Sequence, residues 1–220
     1  MGRHSRPIAG DAPRGRRVPR SIRTKTKALL AGGLVLGIGV AVTMAAWTDN
    51  EFAQGTFSTS TFDTQSSVNE GVAWNDNAVS PGATMSFAAT GMSPGTVRYA
   101  PLAIRTKIGS IAGTVALQAP TQNNAALAAA LTVRVVTYAS GTCTSALFVN
   151  GATYIVGSFN TPAPLLTAGS TALPVLASPG PGQAAATQYC FEVTLPTGAA
   201  NTLQGQSLTA VWQLIATSNL

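Results

Sequence analysis

The 220-residue chain has 13 Lys and Arg residues against seven Asp and Glu residues, and its formal net charge of +6 suggests a nucleic-acid-binding protein. The positions of the charges argue against that class. Nine basic residues and one acidic residue fall in the first 27 positions, whereas the rest of the chain has four basic and six acidic residues. Without a basic patch to neutralise phosphates, we expect no nucleic-acid partner. The only histidine is His4, so the rest of the chain cannot carry out histidine-dependent catalysis or bind zinc through histidine.

Residues 1–27 are predicted to form a disordered basic segment that stays in the cytoplasm, because they are rich in Arg, Pro and Gly and lack apolar periodicity. Residues 28–48 carry no charge, and their core reads ALLAGGLVLGIGVAV. A basic run followed by such an apolar stretch is the layout of a secretory signal. Thr43 and Ala45 would occupy the −3 and −1 positions of a cut between Ala45 and Ala46. We therefore predict that residues 28–45 are a signal segment removed by a signal peptidase.

An uncleaved membrane anchor over residues 28–48 is the alternative, because an apolar run of about 20 residues can span a bilayer. Four glycines dilute the hydrophobicity of this run, and the small residues at the cleavage site favour removal. Arg16 and Arg17 raise the question of twin-arginine export, but the hydrophobic pair of such signals does not follow them. Contact with the membrane is thus expected only through the signal segment, before cleavage.

Residues 46–220 are predicted to form one secreted domain that is long enough for a hydrophobic core. Only ten of these 175 residues are charged, far below the roughly 25% of an average globular chain, but all 14 aromatic residues of the protein lie here. Alternating or β-rich runs predict strands, and most are separated by Gly and Pro turn signals. These runs are Val68–Trp74, Ala83–Ala89, Thr96–Ile104, Gly113–Gln118, Leu131–Tyr138, Ala146–Val149, Tyr154–Phe159, Gln188–Leu195 and Ser207–Thr217.

One short helix is predicted over Asn124–Ala130, where Asn123 or Asn124 would cap an alanine-rich segment. Residues 160–187 are predicted to be a long loop with one edge strand near Leu173–Leu176. Many short strands without alternating helices predict an all-β, jelly-roll-like β-sandwich with one short helix, preceded by the basic leader and the signal segment.

Cys143 and Cys190 are the only cysteines. In an exported chain, an even pair predicts a structural disulfide, whereas two buried thiols or a redox pair are the alternatives. The bond would close a loop of about 48 residues and stabilise the fold by about 4 kcal/mol in the chain-entropy model.

Four carboxylates lie close together near the predicted mature N-terminus, and we interpret them as solvated loop charges rather than as a hydrolase pair: Asp49, Glu51, Asp63 and Glu70. The segment Leu195-Pro196-Thr197-Gly198 lacks the residue between Pro and Thr that a sortase signal requires, so we interpret it as a turn. No phosphate-binding loop, nucleophile elbow or zinc-protease motif is present. The sequence predicts no enzyme, no catalytic or metal-binding residue and no cofactor.

The residues around the predicted cleavage site resemble a known pattern. Ala45-Ala46-Trp47-Thr48-Asp49 and then Ala53-Gln54-Gly55-Thr56-Phe57 are similar to the SipW-type signal region of exported Gram-positive proteins, a group that includes TasA matrix-fibre proteins and camelysins. Weaker similarity extends over Met92-Ser93-Pro94-Gly95, Tyr99–Leu102, Gln204–Leu208 and Trp212–Thr217. The alanine content and the cysteine pair look most like actinobacterial members of this group.

This resemblance implies a jelly-roll-like sandwich, export through an alternate signal peptidase, and a role at the cell surface or in a biofilm matrix. Camelysins are described as metalloproteases, but this activity is not carried over, because no histidine follows His4. We expect a secreted structural protein that associates with copies of itself or with related matrix proteins. A secreted module that binds wall polysaccharide or a protein through exposed Trp or Tyr is the rival hypothesis.

Self-association would involve residues Ala46–Asp63, which read AWTDNEFAQGTFSTSTFD and would form a free N-terminal arm after cleavage. Such a Pro-free segment suits strand conformation and could add to a sheet edge of a neighbouring subunit. The alternative is that the arm folds back as the first strand of its own sandwich and leaves a monomer.

Overall fold

The computed structural model describes residues 25–34, 50–87 and 91–219. The chain divides into two units, Met1–Thr56 and Phe57–Leu220. In the first unit, residues 25–34 lie in a helix (α1) with exposed side chains. Disorder was predicted as far as residue 27, and this is wrong for residues 25–27, which form the first turn of α1 ahead of the helix-forming residues Ala28, Leu29 and Leu30. The rest of the basic leader lies outside the described residues.

The second unit is an all-β, sandwich-like fold with open sheets. Its elements, in chain order, are β1 (Thr64–Ser67), β2 (Val97–Thr106), β3 (Gly113–Leu117), β4 (Thr121–Gln122), α2 (Ala125–Ala130), β5 (Thr132–Tyr138), a 3-10 turn (Ser145–Leu147), β6 (Thr153–Val156), β7 (Ala163–Pro164), β8 (Leu173–Val175), β9 (Thr187–Thr194), a 3-10 turn (Asn201–Leu203), β10 (Ala210–Val211) and β11 (Leu214–Ser218).

The main sheet has the strand order β1-β2-β9-β5-β6, with β7 also paired to β5. A three-stranded sheet, β11-β3-β8, and a two-stranded sheet, β10-β4, form separately. All of these pairs are antiparallel. Leu102, Val133 and Phe191 of the main sheet share one buried core with Val115 and Leu117 of β3, which makes the arrangement sandwich-like.

The opposite face of the main sheet carries a second, smaller core. Side chains alternate between the two faces along a strand, so Tyr189, Phe191 and Val193 of β9 face the main core while Cys190 faces the smaller one. We call these the inner and outer faces of the main sheet.

The predicted helix is present, and the side chain of Asn124 caps it by accepting a hydrogen bond from the Leu127 backbone N–H at 3.1 Å. The predicted edge strand near Leu173–Leu176 is also present, as β8 at an edge of the three-stranded sheet.

Several predicted strands are wrong or shifted. Residues 68–74 form a turn, because Ser67 Oγ and Asn69 Oδ1 accept hydrogen bonds from the backbone N–H groups of Gly71 and Ala73. Residues 83–87 form no strand, and residues 88–90 lie outside the description. The predicted strand Ala146–Val149 coincides instead with a 3-10 turn, which Thr144 caps through its side chain.

Two further predicted strands are present, but they begin or end at other residues than predicted. The predicted strand Tyr154–Phe159 ends at Val156, since Gly157 has a positive φ of 70°. The predicted strand Ser207–Thr217 is divided into β10 and β11 by Trp212 and Gln213.

Candidate functional site

The predicted cleavage site, Ala45 and Ala46, lies outside the described residues, as does most of the predicted signal segment. Among the helices of the described part of the chain, none is long and apolar enough to cross a membrane. Cleavage, and the anchored alternative over residues 28–48, therefore stay predictions.

The predicted disulfide is confirmed: Cys143 and Cys190 are bonded, and their Cα atoms are 5.2 Å apart. Cys190 lies on the outer face of β9 and is fully buried, while Cys143 belongs to the loop that follows β5. Together with Val136 and Phe148 they form the smaller core. The bond therefore fixes the loop of residues 139–152 against the outer face.

A buried ion pair lies beside the disulfide on the same face. Arg134 on β5 is opposite Glu192 on β9, and Nε and Nη2 of Arg134 each donate to one carboxylate oxygen at 2.7 Å. The Arg134 Nη1 atom donates to the Phe159 carbonyl at 2.6 Å, and its guanidinium lies 5.1 Å from the Phe148 ring centre. The hydrogen bonds to Glu192 raise the pKa of Arg134. Because both carboxylate oxygens are engaged, the pair is built to hold strands together.

The sequence alone does not predict this pair. Arg134 and Glu192 are 58 positions apart, and only the register between β5 and β9 brings them face to face. A charged residue inside each of two otherwise β-rich runs was the signal that could have suggested it.

The carboxylates near the predicted mature N-terminus, which were predicted to be solvated loop charges, differ in their surroundings. Asp63 and Asp76 are exposed and both bind Lys107 Nζ, at 2.7 and 2.6 Å, and the hydrogen bond to Lys107 lowers the pKa of Asp63. Glu70 is half-buried in a turn, and its carboxylate accepts a hydrogen bond from the Cys143 backbone N–H at 2.8 Å. Asp49 lies outside the described residues, and Glu51 is exposed. The structure thus brings Glu70 to the disulfide loop and keeps Asp63 apart from it.

The described part of the predicted arm has two different environments. Residues 50–60 form no helix or strand and all of their side chains are exposed; Phe52 and Phe57 are 95% and 94% exposed. We call residues 50–60 the exposed arm. From Thr61 onwards the chain is docked: the Thr61 carbonyl accepts from the Ile111 N–H at 3.0 Å, and β1 pairs with β2. The predicted free segment therefore ends at residue 60 rather than at Asp63.

The sheet edges differ in how they are protected. Ser66 and Asn75 exchange two backbone hydrogen bonds of 3.0 Å over the free edge of β1, and the Ser170 N–H donates to the Ile155 carbonyl of β6 at 2.8 Å. Pro174 lies in the short edge strand β8. Edge strands in natural proteins are commonly protected by such coverings and prolines.

β11 has none of these protections. It pairs with β3 in unbroken register, and its other side has no strand partner among the residues that the structure covers. Its sequence is LIATS, without charge or proline, and Ile215 is 45% exposed. β11 is therefore the edge best suited to accept another strand.

The two described tryptophans are packed against neighbours. Trp74 lies under the Arg105 guanidinium at 4.0 Å, and its indole N–H donates to the Gly71 carbonyl at 2.8 Å. Trp212 packs edge-on against Phe191 at 5.3 Å between ring centres. Both rings are half-buried.

No protein-family model matches the chain, and the search of curated proteins finds no match either. The described residues contain no group of three or more His, Cys, Asp or Glu side chains that could hold a metal ion. The fold defines an all-β, disulfide-bonded protein of sandwich type. The similarity to SipW-type exported proteins stays a prediction from the residues quoted above.

Proposed function

We propose that this chain is an exported structural protein of the cell surface or extracellular matrix, and that it self-associates through its exposed arm. The observation that carries the proposal is the presence, in one chain, of an exposed segment without helix or strand and of an unprotected edge strand, β11. Export is supported by the layout of the leader and by the disulfide, which is typical of proteins from oxidising compartments.

The arm and the edge have complementary chemistry. An extended segment that adds to a sheet edge gains main-chain hydrogen bonds, and its alternate side chains provide specificity. Phe52 and Phe57 are almost fully exposed, and burial of each ring would contribute about 1.5–3 kcal/mol. The exposed arm and β11 are free of basic residues, so no positive charge opposes the pairing.

The geometry of such a contact favours filaments. The arm and β11 are different surfaces, so the contact between two copies is heterologous, and a heterologous contact that does not close into a ring continues into a fibre. Pairing of the arm with its own chain would compete with assembly, because it avoids the loss of translational freedom that association of two copies requires. Assembly is therefore expected to depend on protein concentration.

Light scattering and electron microscopy test the proposal on the mature chain, which begins at Ala46, and on a chain that begins at Thr61. We expect filaments from the first and monomers from the second, which keeps every docked residue. Ile215→Lys should block assembly by placing a charge on β11. Val149→Lys is the matched control, because Val149 is 51% exposed in the disulfide loop and away from β11. Filaments from the shortened chain, or equal loss in both lysine variants, would contradict the proposal.

Export is tested separately by N-terminal sequencing of the protein from a culture supernatant. The mature chain is expected to begin at Ala46. Intact protein that is found only in the membrane fraction would instead support the anchored alternative.

A further inference from the structure

A cavity of about 1080 Å³ lies over the inner face of the main sheet, within the second unit. Its floor is apolar and buried, and includes Leu102 and Ile104 of β2 and Val193 of β9. Met85, Phe87, Met92 and Trp212 are among its other lining residues. Small-molecule pockets are typically about 300–1,000 Å³, so this cavity is large enough for a sizeable ligand.

Among the described lining residues, Arg98 is the one cation. Arg98 lies on the inner face of β2, opposite Val193, because residues 98, 100, 102 and 104 share one face of the strand. Its Nη1 atom donates to the Val97 carbonyl at 3.2 Å, but its Nε atom is buried without a hydrogen-bond partner. Arg98 forms no ion pair with any residue that the structure describes. A cation in apolar surroundings is costly unless an anion accompanies it.

A second unpartnered donor belongs to another residue that lines the same cavity. The indole Nε1 of Trp212, which also lines the cavity, is buried without a partner. Trp212 contacts Phe191 of β9, and Phe191 pairs with Ala100 of β2. Ala100 is two residues, or about 7 Å along the strand, from Arg98. Both atoms can only donate hydrogen bonds, so the group that satisfies them is an acceptor. The other buried unpartnered atoms, in Gln122 and Tyr189, belong to residues that do not line this cavity.

At the opposite end of the cavity, the residues that the structure describes include no unpaired charge. Asp63 is the one carboxylate among the described lining residues, and Lys107 pairs with it. Lys107 is nine residues from Arg98, which corresponds to about 30 Å along an extended chain. Leu102 and Ile104 lie between them, so an apolar floor extends away from the guanidinium. The cavity thus has a cation at one end and an apolar floor, while polar side chains such as Gln65, Ser66 and Asn77 form other parts of its wall.

We infer that this cavity binds a single-chain anionic amphiphile, with the acidic head group on Arg98 and the acyl chain over Leu102, Ile104 and Val193. A fatty-acid carboxylate and a lysophospholipid phosphate share this chemistry. The inference does not depend on the assembly proposed above, since neither the exposed arm nor pairing at β11 is required for it.

Fluorescence of cis-parinaric acid measures binding to the mature chain at concentrations where it is monomeric. Palmitate, palmitoyl lysophosphatidate and hexadecanol then compete with the probe. A hydrogen bond to a charged group is strong enough that we expect hexadecanol to compete about tenfold or more less well than the anionic lipids. The order of the two anionic competitors identifies the preferred head group. Absence of probe binding, or equal competition by palmitate and hexadecanol, would overturn the inference.

Substitution of Arg98 tests the contribution of its charge to binding separately from that of the apolar part of the cavity. Arg98→Met should reduce the affinity for palmitate about tenfold or more while leaving hexadecanol competition unchanged, and Arg98→Lys should retain most of the affinity. Retained binding of hexadecanol shows that Arg98→Met is folded. Wild-type affinity of Arg98→Met for palmitate would contradict the assignment.

Quenching by 9,10-dibromostearate provides a second measurement that locates the acyl chain. Trp212→Phe should remove most of the quenching of tryptophan fluorescence, whereas the matched control Trp74→Phe should retain it, because Trp74 does not line the cavity. A synthetic peptide of residues 46–60 is the competing occupant. Displacement of the probe by this peptide, without displacement by palmitate, would assign the cavity to the arm and overturn the inference.

Discussion

Arg134 and Glu192 show how a single pair of residues holds the centre of the main sheet. Their carboxylate and guanidinium form two hydrogen bonds of 2.7 Å, and the Glu192 side chain is only 5% exposed. Burial of two charges is costly, and the gain from pairing them offsets this cost only when the geometry is good. The bidentate arrangement meets that condition, and removal of one partner would leave the other charged and buried.

We predict that Arg134→Met lowers the free energy of unfolding by about 3–5 kcal/mol, because it leaves the Glu192 carboxylate buried without its cation. Urea denaturation measures the change. Lys107→Met is the matched control, since the ion pairs of Lys107 with Asp63 and Asp76 are largely exposed, and it should lower the free energy of unfolding much less. The double variant Arg134→Met/Glu192→Met should recover part of the loss. Equal effects of the two single substitutions would show that burial does not distinguish the pairs.

The pairing of β3 with β11 depends on the absence of a side chain at Gly113. A Cβ atom at this position would meet the Thr217 carbonyl oxygen of β11 and would lie 2.7 Å from the Phe62 ring. The carbonyl belongs to the ladder of hydrogen bonds between the two strands, so it cannot move without disturbing their register. Glycine is needed here for close approach of the two backbones.

Gly113→Ala is accordingly expected to destabilise the fold by about 1–3 kcal/mol through overpacking. Gly198→Ala is the control, because nothing lies within 4 Å of a Cβ atom built at that position. Thermal unfolding of both variants compares them directly. If Gly113→Ala unfolded at the wild-type temperature, the close contact between β3 and β11 would be refuted.

The second unit is organised by two cores on opposite faces of its main sheet, and all four tyrosines pack in one or the other core. Tyr189 belongs to the main core, whereas Tyr99, Tyr138 and Tyr154 pack against the smaller one. Burial raises the pKa of every one of these phenols, and that of Tyr138 to about 12. For Tyr99 the negative charge of Glu192 adds to the effect of burial.

These shifts predict a loss of stability in alkali. A raised pKa in the folded state favours the neutral phenol, so the stabilisation is complete below the ordinary pKa near 10 and is lost as the pH rises through the folded pKa. Absorbance at 295 nm should therefore show less phenolate at pH 10 in the native protein than in urea, where about half of the phenols are ionised. The urea midpoint should fall between about pH 10 and 12. Tyr138→Phe should lessen this fall, and a native titration centred at 10 for all four phenols would contradict the prediction.

Local features of the sequence determined much of the fold. The predicted strands Thr96–Ile104, Gly113–Gln118, Leu131–Tyr138 and Gln188–Leu195 correspond closely to β2, β3, β5 and β9, because alternation records a strand with its own buried face. The helix cap at Asn124 was predictable because it requires contacts only within one turn. The disulfide was predictable because only two cysteines exist.

Tertiary structure decided the rest, for two physical reasons. Side-chain hydrogen bonds to the backbone turned residues 68–74 away from the strand that their composition predicts. The other features combine parts of the chain that are far apart in sequence: the register that joins Arg134 to Glu192, the unpaired edge of β11, and the cavity that Arg98 faces. A sequence pattern records which face of a strand is buried. Which strand lies beside it, and which edges or cavities stay uncovered, follow only from packing.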